Sequence, residues 1–229
     1  IYQCDWSSDV CSSDLRDIQM ILSDLLRETA YFDREFRNRE APGLRILGAG
    51  ADKIAFLKAD GRSVMVFVGV GDQSQQVFLE WIQYCQSHSD NPFLPRFLSQ
   101  PQKIPHGNKQ YIGVEMELLR PALRSAGEAI DRIASKLYSS FVGGKFDISL
   151  LKFEYYKQML ATRNAPLTRY MDRHLSLDNQ RLLFDTLVEL ARLAYQNGYH
   201  IDLHRSNIMS RSDGSIVILD PWFVGNLFS

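Results

Sequence analysis

The sequence predicts an α+β fold in two parts, a small mixed lobe followed by a mainly helical one. Three observations carry that expectation. Residues 44–119 alternate short apolar runs with glycine-bearing turns and hold a single helical pattern. Beyond Pro121 the apolar spacing becomes helical. After the clearest of those helices, two carboxylates and an amide, Asp202, Asn207 and Asp220, stand on short loops around a predicted hairpin.

Taken in order, the chain first offers Asp17 to Phe36, where Ile18, Ile21, Leu22, Leu25, Leu26 and Phe32 recur at mostly helical spacing among acids and arginines. That pattern reads as an amphipathic helix covering a sheet. Ala41-Pro42-Gly43 punctuates the chain before a short strand at Leu44–Leu47. Gly48 to Leu57 passes from a glycine-bearing turn into a second strand, and Asp60-Gly61 suits a tight reversal into Val64-Met65-Val66-Phe67-Val68. Gln75 to Cys85 reads as a helix with Val77, Phe78, Trp81, Ile82 and Cys85 as its apolar positions; Cys85 is a core residue on this reading. Pro101, Pro105 and His106-Gly107-Asn108-Lys109 predict an irregular stretch ahead of a strand from Tyr111 into the connector Met116-Glu117-Leu118-Leu119.

In the second part, helices are expected over 129–141, 150–160 and 177–196, the last burying Leu182, Leu183, Leu187, Leu190, Ala191 and Leu193. Asn197-Gly198 stops it. Asp213-Gly214 then turns a hairpin between Ile208-Met209 and Ile216–Leu219, so Asn207 and Asp220 flank one hairpin and can reach one metal ion.

Composition excludes some classes. With 45% hydrophobic and 23% charged residues and a formal net charge of -1, the chain has no basic excess to attract nucleic acid or an anionic membrane. It has no apolar run of membrane-spanning length and no hydrophobic leader at its N-terminus, so a cytoplasmic protein is expected. Cys4, Cys11 and Cys85 form neither a disulfide framework nor a metal cluster. The segment from Cys4 to Leu15 resembles the translation of a sequencing-adapter oligonucleotide, so residues 1–15 are expected to be a non-native tail. The expected division is that tail, an N-terminal helix and mixed nucleotide-binding lobe over 16–119, and a partial helical catalytic lobe over 120–229, truncated at its C-terminal end.

The residues His200-Ile201-Asp202-Leu203-His204-Arg205-Ser206-Asn207, with Asp220 beyond the hairpin, resemble the catalytic and metal-binding loops of the protein-kinase-like superfamily. The resemblance covers most of Leu44 to Trp222 and is nearest to the compact serine/threonine protein kinases encoded by bacteriophages. It implies a two-lobed fold, ATP and Mg2+ as cofactors, and a protein substrate of a bacterial host. Asp202 would orient the attacking hydroxyl and take its proton, while Asn207 and Asp220 would hold magnesium against the ATP phosphates. Gly48 and Gly50 resemble the nucleotide loop, and Glu117 and Leu119 lie in the connector that receives adenine. His200 matches a histidine that supports the catalytic loop.

The chain departs from the family pattern at several positions. Ile201 replaces the arginine before the catalytic aspartate, which argues against activation by loop phosphorylation. Pro221-Trp222 replaces the usual phenylalanine-glycine. His204 stands where many protein kinases carry lysine, and Asp202-Leu203-His204 is similar to phosphotransferases that modify antibiotics or choline. In the first lobe, Phe67 aligns with the usual phosphate-binding lysine, while Lys53 replaces the third glycine of the nucleotide loop. As in the kinases named for lacking the strand lysine, Lys53 is expected to reach the α/β-phosphates and pair with Glu80; Lys58 is the lesser candidate. The predicted catalytic set is therefore Asp202, Lys53, Glu80 and His204. The rival readings are a small-molecule phosphotransferase and a nucleotide-binding or scaffolding pseudokinase.

Overall fold

Short apolar runs separated by turns pair into one antiparallel sheet in the first part of the chain. The computed structural model describes residues 40–41, 44–49, 53–58, 61–69, 73–106, 109–143, 153–154, 157, 171–173 and 175–224. The tail expected over 1–15 and the helix expected over 17–36 lie outside the described residues, as does most of the helix expected over 150–160. The chain divides into two compact units. One holds the described residues up to Gln75 with Leu98–Leu118; the other holds Gln76–Phe97 with the described residues from Leu119 onward.

The first unit is a six-stranded sheet of β1 (Glu40–Ala41), β2 (Leu44–Ala49), β3 (Lys53–Leu57), β4 (Ser63–Gly69), β5 (Gln102–His106) and β6 (Lys109–Glu117), in the order β1-β2-β3-β4-β6-β5. The four strands before the helix form a meander, in which Gly61, at φ 65°, serves the turn between β3 and β4. The central strand β4 is buried from Ser63 through Val68, as a nearly unbroken apolar run should be. Phe56 and Phe67 meet edge to face at 5.7 Å on one side of the sheet.

The stretch expected to be irregular around Pro101 and Pro105 instead forms β5, paired with β6 through Pro105↔Gln110. Proline is tolerated there because β5 is the last strand of the sheet, with only one neighbour to hydrogen-bond.

Three long helices stand out among the described residues of the second unit: α1 (Gln73–Ser87, from Gln76 onward), α2 (Arg124–Val142) and α3 (Leu177–Asn197). Val77, Trp81 and Cys85 of α1 share one apolar core with Ile130, Ala134 and Leu137 of α2 and Leu183, Leu187, Leu190 and Ala191 of α3. Leu182, expected inside, is exposed, because it falls outside the buried stripe that Leu183, Leu187 and Leu190 define. Ser176 caps α3 by accepting from the Asn179 amide at 3.2 Å, and Gly198 ends it in the left-handed region at φ 71°. No helix among the described residues is long and apolar enough to cross a membrane.

After α3 come β8 (His200–Ile201), a 3-10 turn (Arg205–Asn207), β9 (Ile208–Ser210), β10 (Ile216–Ile218) and β11 (Trp222–Phe223). β9 and β10 form the expected hairpin, joined by β7 (Arg120–Pro121), and β8 pairs with β11. The loop before the first unit's last two strands braces this hairpin. Phe93 O accepts from Ile218 N at 2.8 Å, and the Arg211 guanidinium donates to Pro92 O and Leu94 O.

Candidate functional site

The αL turn at Gly198 reverses the chain directly into β8, and two contacts at Tyr199 fix the direction of that strand. Tyr199 N donates to Ala194 O at 2.8 Å, and the Tyr138 hydroxyl donates to Tyr199 O at 2.7 Å. The β8–β11 ladder, with Ile201↔Trp222 and His200↔Phe223, then continues through Asp202 N donating to Pro221 O at 2.7 Å. Asp202 and the Asp220 segment are thereby held side by side. Leu203 is buried at 1% exposure, while its neighbours Asp202 and His204 keep 34% and 53% of their side chains in solvent. An apolar anchor between two polar residues turns both polar groups outward.

Asn207 closes the arrangement. Its Nδ2 donates to the backbone carbonyls of Asp202 at 2.7 Å and Asp220 at 2.9 Å, and lies 3.4 Å from Asp202 Oδ2. Asn207 O also accepts from Leu219 N at 2.8 Å. Two carbonyl acceptors fix which end of the amide carries nitrogen, so Oδ1 is the oxygen left to face a cation. The three residues predicted from sequence to work together are thus joined in one network.

The donor set fits magnesium in kind. Asn207 Oδ1 and the Asp220 carboxylate are hard oxygen ligands, and Mg2+ commonly takes only one or two protein carboxylates, completing its shell with water and phosphate. Among the described residues, no group of three or more histidine, cysteine, aspartate or glutamate side chains could hold a metal by itself. A magnesium ion at Asn207 and Asp220 would take the rest of its shell from water and phosphate.

Among the other predicted residues, His204 places Nε2 3.5 Å from Asp202 Oδ1 and Nδ1 2.7 Å from Ser206 Oγ. His200 stacks on Phe223 with ring centroids 5.1 Å apart, a supporting position. Glu80, on α1, accepts at Oε2 from the Tyr199 hydroxyl at 2.7 Å and at Oε1 from Gln76 Nε2 at 2.8 Å. Sequence reasoning missed Tyr199, although it adjoins His200 and so lay within reach of the same motif. Burial, then the hydrogen bond and charge of Glu80, push its phenol up to about 12.

Lys53, Gly48 and Glu117 belong to the first unit and Leu119 to the second, while Gly50 lies outside the described residues. Lys53 pairs across the sheet with Val68, so Phe67 projects from the opposite face of β4. The β4 residues on the face of Lys53 are Val64, Val66 and Val68, all of them apolar, as Phe67 is on the other face. Lys58, the lesser candidate, makes an ion pair with Glu115 at 3.0 Å.

In comparison with known proteins, no family model matches the chain and no curated sequence is significantly similar to it.

Proposed function

We propose that this chain carries out ATP-dependent phosphoryl transfer to a serine or threonine hydroxyl of a protein, on a protein-kinase-like fold. The observation that carries the reading is the Asn207 amide, which bridges the backbone carbonyls of Asp202 and Asp220. A polar side chain spent on joining two carboxylate-bearing loops is what a site handling metal-bound phosphate requires.

In this reading Asp202 orients the acceptor hydroxyl and takes its proton as the hydroxyl oxygen bonds to the γ-phosphorus and the bond to the ADP oxygen breaks. Asn207 Oδ1 and the Asp220 carboxylate would hold magnesium, which when bound offsets charge on the phosphate oxygens. Lys53 would supply the cation that β4 lacks, and Gly48, Gly50, Glu117 and Leu119 would contact the nucleotide, as the resemblance implies. His204, more than half exposed beside Asp202, favours a second reading in which the acceptor is a small molecule. The apolar pair Phe67 and Val68 favours a third, a pseudokinase.

Transfer of labelled γ-phosphate by the full chain, with and without Mg2+, tests the proposal. Host-lysate proteins are offered in one arm and aminoglycosides or choline in another. Metal-dependent transfer to protein, abolished by D202A and D220A in folded protein, is the expected result. Transfer confined to the small molecules would move the acceptor class, and transfer that persists in D202A would end the proposal.

A further inference from the structure

The Ser206 hydroxyl has no part in the proposed transfer, yet it lies 2.7 Å from His204 Nδ1, on the exposed side of the loop. The other ring nitrogen, Nε2, lies 3.5 Å from Asp202 Oδ1 and 3.5 Å from Asn207 Nδ2. Hydrogen counting separates these two neighbours. Asn207 Nδ2 has two hydrogens, and its two shortest contacts, Asp202 O at 2.7 Å and Asp220 O at 2.9 Å, use both. It has none left for the histidine.

Nε2 therefore answers to the Asp202 carboxylate. A lone pair there would oppose the carboxylate oxygen, whereas an N–H would be attracted to it. In the neutral ring, with its one proton on Nε2, Nδ1 is an acceptor and Ser206 the donor. The order is Ser206 O–H to His204 Nδ1, then His204 Nε2–H toward Asp202 Oδ1. The 3-10 turn over Arg205–Asn207 brings the serine back over the ring two residues before it.

We propose that Ser206 is a positioning residue: it holds His204 as the Nε2–H tautomer, with that N–H turned toward Asp202. His204 then steadies one carboxylate oxygen of Asp202 and leaves the other to address the acceptor hydroxyl. The consequence for turnover rests on the phosphoryl-transfer reading, whereas the tautomer does not.

The test uses the full chain labelled with 15N in its histidines, of which there are five. The His204 signals are identified by their loss in H204Q. In the wild type, Nδ1 and Nε2 should show the shifts of a single Nε2–H tautomer. S206A should shift them toward a tautomer mixture and lower kcat by about threefold to tenfold, the range of one lost hydrogen bond. KM for ATP should stay unchanged, S206T should restore both readouts, and S206A should add nothing in an H204Q background. A His204 signature identical in wild type and S206A overturns the proposal, whatever the activity. If the wild type transfers no phosphate but S206A still scrambles the tautomer, the positioning stands and the phosphoryl-transfer reading falls.

Discussion

The Tyr199 hydroxyl donates to Glu80 Oε2 at 2.7 Å, fastening α1 to the residue that leads into β8 and Asp202. Gln76 holds the other carboxylate oxygen. Removing the hydroxyl in Y199F leaves a half-buried carboxylate short of one donor and should cost about 1 kcal/mol of stability. E80Q retains an acceptor and should cost less. Urea unfolding of both variants checks the order, and Y199F at wild-type stability would show that the bond contributes nothing.

The same contact gives a pH dependence. Tyr199 and Tyr84 are both pushed up to about 12, in each case by burial first and then by a neighbouring glutamate, Glu80 or Glu189. An unfolded tyrosine titrates near pH ~10. Between these values the folded chain keeps protons that the unfolded chain has lost. The stability they contribute is therefore fully present below about pH 10 and is lost as pH rises through about 12. Unfolding free energy should fall across that window, and Y199F should flatten the fall by up to one proton. An equal slope in both proteins would refute the assignment to Tyr199.

Trp222, the second residue of the Pro221-Trp222 pair that stands where the family resemblance led to phenylalanine-glycine, is fixed in place. Its Nε1 donates to Leu190 O at 3.0 Å, and its ring meets Trp81 edge to face at 5.4 Å. W222A should cost about 3–5 kcal/mol, as for large aromatic truncations in cores. W222F, which loses the donor and part of the ring, should cost roughly 1–3 kcal/mol. Thermal unfolding followed by circular dichroism reads both. A W222A protein within about 1 kcal/mol of wild type would mean that the segment after Asp220 is only loosely packed.

Lys53 and Lys58 are separable by experiment. Lys58 is held 3.0 Å from Glu115, with 18% and 17% of the two side chains exposed. K58M should cost about 1 kcal/mol of stability and leave phosphate transfer within about twofold of wild type. K53A should lower transfer by about a hundredfold or more, since it removes the cation proposed for the phosphates. Steady-state rates of the two variants decide the matter; the reverse ranking would transfer the role to Lys58.

What the sequence disclosed depended on how strongly each pattern constrains geometry. The hairpin around Asp213-Gly214 and the helix stop at Gly198 were legible because positive φ demands glycine, found at 86° and 71°. The pairing of Asn207 with Asp220 followed from that hairpin, and Asp202 joined them through its five-residue spacing from Asn207. Two other features were hidden. Pro105 reads as a breaker unless its strand is known to lie at a sheet edge, which is a tertiary fact. The faces of β4 could not be told apart because Val64 to Val68 is apolar throughout, so the alternation that reveals register is missing; only the pairing of Lys53 with Val68 shows which face they share. Tyr199 went unnoticed for a related reason: its partner Glu80 is 119 positions away.

Asn207 provides the sharpest test, because its two proposed roles respond in opposite ways to one substitution. As a metal ligand it offers Oδ1, and N207D would add a negative charge and preserve, or strengthen, the hold on magnesium. As a brace it offers Nδ2 to Asp202 O at 2.7 Å and Asp220 O at 2.9 Å, and N207D would set a carboxylate oxygen against both carbonyls. Two donations are lost and replaced by repulsion, so N207D should cost roughly 2–4 kcal/mol and N207A somewhat less. Both variants should lose transfer, N207D even at saturating Mg2+, because adding metal does not restore the register of the two loops. Equilibrium unfolding with a magnesium titration of the transfer rate separates the roles. Wild-type stability in N207D, with full activity at high Mg2+, would leave Asn207 a ligand alone and remove the bridge on which the proposed function stands.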